Sequence, residues 1–382
     1  MIRIGFDANR LFTNRTGLGN YSRNLLNNLA YYYPDHAYFL YTPRLVRNPE
    51  TRFFLNSPLF HVTHPRGFQR FFWNSELLPE TLKRRKVALF HGLSNELPSG
   101  LRGLPIRRMV TIHDLVFKRH PKFYRLADRV LLHAKIRYAC EHAHQIIATS
   151  EHTRKDILEF YDVPEEKVKV IYQTCSERFL QEKAPRLLEG VVKKYRIPEA
   201  YFLYVGAITE RKNLLGVVQA LQQLPSALRL PLVVIGSGTT YKIKVQSFLL
   251  RHRMLDQVHF IQADPQDLPA IYQKAALFLY PSFYEGFGIP VLEALFSRIP
   301  VVTSNRSSLP EVAGPGAYLA DPYRPESIAE GILQLLGAED YRQQAIESGY
   351  RHALGFHGEV LAEKMMHTYY TLLGRRDIPR KE

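Results

Sequence analysis

Along the chain, short apolar runs rich in Val, Ile, Phe and Tyr alternate with longer polar stretches in which apolar residues recur every three or four positions. Runs of the first kind predict buried strands, and stretches of the second kind predict amphipathic helices. Ile2-Arg-Ile-Gly-Phe-Asp7 opens the chain as a strand and leads to a glycine loop at Gly17 and Gly19. A helix is expected from Asn20, with Tyr21, Leu25, Leu26 and Leu29 on one face. Residues 39–41, 87–90, 108–112, 145–148 and 168–171 continue the strand pattern. The same grammar restarts after Tyr195-Arg-Ile-Pro198. Strands are predicted at 201–205, 232–235, 258–261, 276–280 and 300–303, and Asn213 stands where it can cap the helix that begins at Leu214.

Strands alternating with helices imply a parallel sheet covered on both faces. Two such blocks make this an α/β chain of two Rossmann-like, doubly wound domains, at 1–180 and 181–354. The polar helical stretch 181–197 is expected to link them. The tail, 355–382, reads as an amphipathic helix with Val360, Leu361, Met365, Met366, Tyr369 and Leu372 on its apolar face. Ligands of such sheets bind beyond the carboxyl ends of the strands. A pair of these domains therefore implies a central cleft, with its chemistry placed just after strands.

Composition narrows the class. Hydrophobic residues make up 46% and charged residues 23% of the 382, as in globular proteins. The first residues lack the apolar run of a secretory leader, and no stretch is apolar enough to span a bilayer, so a cytoplasmic protein is expected. Cys140 and Cys175 are too few for a disulfide framework and read as small core residues in a reducing compartment. The formal charge of +15 is uneven. Residues 1–180 hold 28 basic and 16 acidic groups (+12), which leaves +3 for the rest. Lys83-Arg84-Arg85-Lys86 is the densest run, and Phe71, Phe72 and Trp73 lie near it. Such a surface suits nucleic acid, an anionic membrane face or a phosphate-bearing acceptor, and equally a solvated basic face.

The most informative segment is Tyr280-Pro-Ser-Phe-Tyr-Glu285-Gly-Phe-Gly-Ile-Pro290-Val-Leu-Glu293, running from a strand end through glycines into a helix. Pro290 suits a first helical turn. Gly286 and Gly288 let a ligand approach the backbone, and a helix start favours a diphosphate. Glu285 is placed to accept hydrogen bonds from sugar hydroxyls, and Glu293 to hold a ribose. Spacing alone is weak support, since Glu151/Glu159 and Glu339/Glu347 repeat it in polar helical stretches. Arg211 and Lys212, after the first strand of the second block and just before Asn213, place two cations on one anion. In the first block His113 ends a strand, as does His91. No Asp-x-Asp cluster, His-Glu-x-x-His or cysteine ligand set occurs, so neither a metal nor another cofactor is expected.

The segment from Glu285 to Glu293 resembles the signature of the family 4 glycosyltransferases, retaining enzymes of the GT-B fold. Gly17-Leu-Gly19-Asn-Tyr-Ser, His113-Asp114, Ser150-Glu-His-Thr-Arg154, Glu210-Arg-Lys-Asn213 and Ser307-Ser-Leu-Pro-Glu311-Val match in the same order. The nearest likeness is to the mannosyltransferase-like branch that builds bacterial surface polysaccharides such as lipopolysaccharide. The resemblance implies that Gly17 and Gly19 let the first loop reach the donor diphosphate, and that Lys212 and Arg211 neutralise it. By the same likeness Glu285, with the amides of Gly286, Phe287, Gly288 and Ile289, holds the donor sugar, Glu293 holds the ribose, and His113 sits near the sugar's 6-position. The last helix of the family crosses back to the N-terminal domain. Two departures stand out. Ala207 replaces a frequent arginine, and Ser297-Arg298 replaces a frequent Cys-Gly.

The implied reaction moves a hexose, with mannose from GDP-mannose the first choice, to a glycan or lipid-linked saccharide acceptor. Retention without a metal favours same-face attack, in which the leaving phosphate takes the acceptor's proton. His113, Glu285 and Lys212 are the catalytic candidates. The implied partners are the nucleotide-sugar, the acceptor and an anionic membrane at the inner face of the cytoplasmic membrane, with no nucleic acid. A UDP-sugar donor, a sugar-nucleotide 2-epimerase and a basic nucleic-acid-binding protein are the alternatives.

Overall fold

The computed structural model describes residues 1–375. It forms two compact units, one of Met1–Thr174 with the described residues from His357 to Arg375, the other of Cys175–Phe356.

The first unit is built on a seven-stranded parallel sheet: β1 (Arg3–Asp7), β2 (Ala37–Tyr41), β3 (Phe60–Thr63), β4 (Leu89–Gly92), β5 (Arg107–Ile112), β6 (Gln145–Ala148) and β7 (Val168–Val170), in the order β3-β2-β1-β4-β5-β6-β7. The second holds a six-stranded parallel sheet: β8 (Phe202–Val205), β9 (Leu232–Ile235), β10 (Val258–Ile261), β11 (Leu277–Tyr280), β12 (Val301–Ser304) and β13 (Ala317–Ala320), in the order β10-β9-β8-β11-β12-β13. Helices cover both faces, so central strands such as Leu277-Phe-Leu-Tyr280 are wholly buried and apolar throughout. In each sheet the strand order reverses beside the unit's first strand, and such switch points are where doubly wound sheets bind ligands.

Two strands escape the sequence pattern. Phe60-His-Val-Thr63 and Ala317-Tyr-Leu-Ala320 are short strands at sheet edges with half-exposed positions. The expected linker 181–197 is not one. Its helix Pro185–Tyr195 belongs to the second unit, where Tyr195 Oη donates to Asp267 Oδ2 at 2.7 Å and Lys183 N–H to Gln273 Oε1 at 2.9 Å. The chain passes between units at Thr174/Cys175 instead of 180/181, and returns at His357 instead of 355.

The glycine loop at Gly17 and Gly19 is also corrected. Both residues lie in the first turn of a helix, Gly17–Tyr32, that starts three residues before Asn20. Gly19 packs so tightly that a Cβ would stand 1.9 Å from the carbonyl oxygen of Asn14, so backbone packing alone demands glycine there.

The tail forms the helix Gly358–Leu372, whose Met365, Met366 and Tyr369 are buried in the core of the first unit with Leu25, Leu26 and Leu29, and whose Leu361 is also buried. Val360 and Leu372 are half-buried, and residues 376–382 of the expected tail lie outside the described residues. Each large side chain buried there contributes roughly 1.5–3 kcal/mol. A polar chain fixes the register. Tyr369 Oη lies 2.7 Å from His91 Nδ1, His91 Nε2 lies 2.8 Å from Thr111 Oγ1, and Thr111 Oγ1 lies 2.9 Å from Tyr21 Oη. Burial lowers the His91 pKa to about 3, so a neutral ring donates from one nitrogen and accepts at the other. His91 is thereby a structural residue.

Arg298 occupies φ +55°, which costs a non-glycine residue roughly 1–2 kcal/mol. Its guanidinium lies 3.6 Å from the Tyr350 ring centroid and 3.3 Å from Glu347 Oε2, contacts that a glycine could not make. Cys140 and Cys175 are both buried. No helix among the described residues is long and apolar enough to cross a membrane.

Candidate functional site

In the second unit, β8 and β11 are hydrogen-bonded neighbours, so the loops leaving their carboxyl ends lie side by side. The β8 loop passes Gly206 and makes a tight turn at Glu210–Lys212. Asn213 then holds a left-handed conformation (φ +56°), caps the next helix by accepting from Gly216 N–H at 3.2 Å, and donates to the carbonyls of Pro281 and Pro322 at 3.1 and 2.7 Å. The cap residue expected from sequence thus also ties the β8 loop to the β11 loop.

The β11 loop is clamped from the other side. Arg211 receives Phe283 N–H on its carbonyl at 2.9 Å and donates to the Tyr284 carbonyl at 2.6 Å. Ser307 Oγ accepts from Glu285 N–H at 2.9 Å. Ser308 Oγ lies 2.9 and 2.7 Å from the carbonyl oxygens of Glu285 and Phe287. Gly288 adopts φ +118°, which strongly favours glycine, and a Cβ there would meet Leu309 Cδ2 at 2.7 Å. Helix Ile289–Phe296 follows, with Pro290 in its first turn, where Ile289 N–H has no intrahelical acceptor. Phe287 is buried with its ring edge-on to Phe356.

These constraints bring together three side chains that the sequence separates. Glu285 Oε1 lies 2.9 Å from Lys212 Nζ, and Glu285 Oε2 lies 2.7 Å from the Arg211 guanidinium. Tyr280 Oη donates to Glu285 Oε1 at 3.0 Å and also hydrogen-bonds Lys212. Burial, at 8% exposure, opposes ionisation of Glu285, but the two cations outweigh it and hold its pKa at about 2. The cluster carries a net +1, with a carboxylate that is firmly ionised.

Glu293 has a different environment. Its Oε2 accepts from Tyr272 Oη at 2.9 Å, and burial raises its pKa from 4.5 to about 7. Glu285 and Glu293 share no hydrogen-bond partner, and near neutrality one is fully charged while the other is poised between states. Tyr272, Tyr280, Ser307 and Ser308 were assigned no part from sequence. Only the Ser307-Ser308 pair stood inside a matched motif. The comparison glutamates Glu151, Glu159, Glu339 and Glu347 are all exposed.

Gly17, Gly19 and His113 belong to the first unit. His113, just after β5, is 5% exposed, and burial lowers its pKa to about 4. Its Nε2 lies 2.8 Å from the Leu93 carbonyl and so carries the proton, while Gln173 Nε2 lies 3.5 Å from Nδ1. Tyr21 sits edge-on at 4.7 Å. Thr149 and Thr153 donate to the His113 carbonyl, and Asn95 Oδ1 accepts from its N–H at 2.7 Å. This is a fixed neutral imidazole. It is a hydrogen-bonding group at neutral pH, with no proton to give from Nδ1.

Comparison with known proteins agrees with the resemblance. Residues 192–352 match the family model described as Glycosyl transferases group 1, and residues 15–174 match that described as Glycosyltransferase Family 4. The chain is 29% identical to O-antigen chain mannosyltransferase B of Escherichia coli, over 94% of this chain and 96% of that protein. It is 29% identical to O-antigen chain mannosyltransferase RfbU of Salmonella typhimurium over 59% of this chain and 60% of that protein. Among solved structures, a glycosyltransferase from Rickettsia africae has a TM-score of 0.77 at 15% identity, covering 97% of this chain and 98% of that one. Anabaena HepE in complex with UDP and glucose also has a TM-score of 0.77 at 15% identity, covering 97% and 100%. The structural matches show the fold.

The Glu293 shift sets a testable pH dependence. Its folded-state pKa lies above the ordinary value of 4.5, so between about pH 4.5 and 7 the folded chain holds a proton that the unfolded chain has lost. Its contribution to stability is present below that window and is lost as pH rises through it. Between pH 5 and 7.5, wild type should lose at least about 1 kcal/mol more unfolding free energy than Glu293→Gln, as read by urea denaturation. Equal losses would contradict the assignment.

Proposed function

We propose, from the premise that this chain is a glycosyltransferase joining a family 4 amino-terminal domain to a group 1 carboxy-terminal domain, that it moves mannose from GDP-mannose to a glycan or lipid-linked saccharide with retention of configuration. The observation that carries this reading is the Arg211–Lys212–Glu285 cluster beside the start of helix Ile289–Phe296. The choice of mannose is supported by the two O-antigen mannosyltransferases, one alike over nearly its whole length.

On this reading the donor diphosphate takes Lys212 and Arg211 as counter-ions, and the amides of Gly286, Phe287, Gly288 and Ile289 face it or the sugar. Glu285 accepts from the sugar hydroxyls, and Glu293 accepts from the ribose. Gly17 and Gly19 allow close approach to the diphosphate, and His113 meets the 6-hydroxyl as a neutral hydrogen-bonding group.

Leaving-group charge is stabilised by Arg211 and Lys212, which requires neither metal nor other cofactor from the protein. On this reading the oxygens of Glu285 are committed to the sugar hydroxyls, and Glu285 supports the sugar without forming a bond to it. The acceptor hydroxyl then attacks from the face the phosphate leaves. The anomeric C–O bond to phosphate breaks, the new C–O bond forms, and the acceptor's proton passes to the departing phosphate. A UDP-sugar donor is the second reading, favoured by the UDP and glucose held by the HepE structure.

The lipid-linked acceptor implies a membrane surface at the cytoplasmic face. Phe71 and Phe72 are exposed at 81% and 42%, and Lys83, Arg84, Arg85 and Lys86 are all exposed. Trp73, grouped with these aromatics in the sequence, is buried. We assign the basic, aromatic surface of the first unit to peripheral contact with anionic lipid.

Lys212→Ala and Glu285→Ala should each lower mannosyl transfer by at least about a hundredfold, or roughly 2.7 kcal/mol. Near-normal transfer by either purified, folded variant would overturn the site. In sedimentation with vesicles, phosphatidylglycerol should retain the protein better than phosphatidylcholine, and salt should weaken that preference. Equal retention would remove the membrane contact.

A further inference from the structure

Both carboxylates assigned to the donor hang on one aromatic stack in the second unit. Phe278 and Tyr280, two apart in β11, point to the same face of the sheet. Their ring centroids are 5.8 Å apart, with planes 16° from parallel. Tyr272, from the helix Leu268–Lys274, continues the stack at 5.2 Å from Phe278, and Phe179 packs edge-on to Tyr272 at 5.3 Å. All four rings are buried. The tyrosine hydroxyls on either side of Phe278 serve different glutamates. Tyr280 Oη donates to Glu285 Oε1 at 3.0 Å, and Tyr272 Oη donates to Glu293 Oε2 at 2.9 Å.

The two glutamates depend on their tyrosines unequally. Glu285 has Arg211 and Lys212 as well. Among the described residues Tyr272 is the one hydrogen-bond partner of the Glu293 carboxyl. Glu293 is half-buried in helix Ile289–Phe296, whereas the Tyr272 ring is wholly enclosed. A half-exposed glutamate has several staggered rotamers open to it. One hydroxyl on a ring that is packed on both faces selects among them.

We infer that Tyr272 is a positioning residue for the nucleotide, whose hydroxyl holds one oxygen of Glu293 and so aims the other at the ribose hydroxyls. The inference rests on the reading that Glu293 receives the ribose, and deepens it by naming what orients the carboxyl. Tyr272 itself touches no substrate atom. Its hydrogen bond also favours the carboxylate over the acid, and so opposes the burial that raises Glu293 to about 7. The titratable groups that face Glu293 are Tyr272 and the Cys175 thiol, which burial pushes up and keeps neutral.

Isothermal titration with GDP and with dideoxy-GDP, which lacks both ribose hydroxyls, separates aim from mere packing; UDP and dideoxy-UDP replace them if wild type prefers uridine. At about pH 8 wild type should bind GDP at least about tenfold more tightly than dideoxy-GDP. Tyr272→Phe keeps the ring and its contacts. It should lower that ratio at least about threefold by weakening GDP alone, with dideoxy-GDP affinity held within about twofold. The pH below which the ratio falls, near 7 in wild type, should move upward in Tyr272→Phe. In a Glu293→Gln background the tyrosine substitution should add no further loss. An unchanged ratio in Tyr272→Phe, or equal weakening of both ligands, overturns the inference. If Glu293→Gln keeps the wild-type ratio, the ribose reading fails and the inference falls with it. If Glu293→Gln loses the ratio while Tyr272→Phe retains it, the ribose reading stands and Tyr272 is a core residue only.

Discussion

Glu285 is nearly buried and ionised, and a carboxylate in that position costs several kcal/mol unless cations and donors meet it. Arg211 and Lys212 supply the cations and Tyr280 supplies a hydroxyl. All three can arrive only because β8 and β11 are neighbours, so that two loops about seventy residues apart in sequence leave the sheet together. Much of the surrounding structure protects this meeting. Asn213 ties one loop to the other, Ser307 and Ser308 hold the Glu285 backbone, and Gly288 makes the turn into the helix. On the proposed reading a diphosphate that takes over the two cations releases the oxygens of Glu285 to the sugar, so one cluster serves the empty and the occupied site in turn.

The first unit is organised around neutral polar groups. His91 and His113 are both kept uncharged by burial; both ring nitrogens of His91 are committed to Tyr369 and Thr111, and Nε2 of His113 to the Leu93 carbonyl. Tyr369 comes from the returning helix Gly358–Leu372, so that helix secures the polar interior at the ends of β4 and β5. Buried charge in this unit is paired, as where Arg119 meets the wholly buried Asp156 at 2.7 Å.

Much of this was legible in the sequence because buried parallel strands write themselves as apolar runs. Among the described residues eleven of the thirteen strands follow that rule, and the short edge strands β3 and β13 are the two it did not reveal. Arg211, Lys212, Glu285 and Glu293 were identifiable from their places after strands, and the family resemblance supplied their implied roles. Their mutual geometry was hidden, since no local pattern pairs Lys212 with Glu285. Tyr272 and Tyr280 were hidden for a related reason, because a tyrosine in an apolar run reads as core until its hydroxyl's partner is known. Gly19 was legible as a required glycine but for a second reason, the carbonyl of Asn14 pressed against it.

The central claim is that Lys212, Arg211 and Glu285 form the seat of a nucleotide-sugar diphosphate. Isothermal titration of wild type and Lys212→Ala with GDP-mannose, with UDP-glucose and ADP-glucose as comparisons, tests it without needing an acceptor. The account predicts saturable GDP-mannose binding to wild type, tighter than either comparison, and at least about tenfold weaker binding to Lys212→Ala. Equal affinity of the two proteins for GDP-mannose, or no binding of any nucleotide-sugar to wild type, would contradict it.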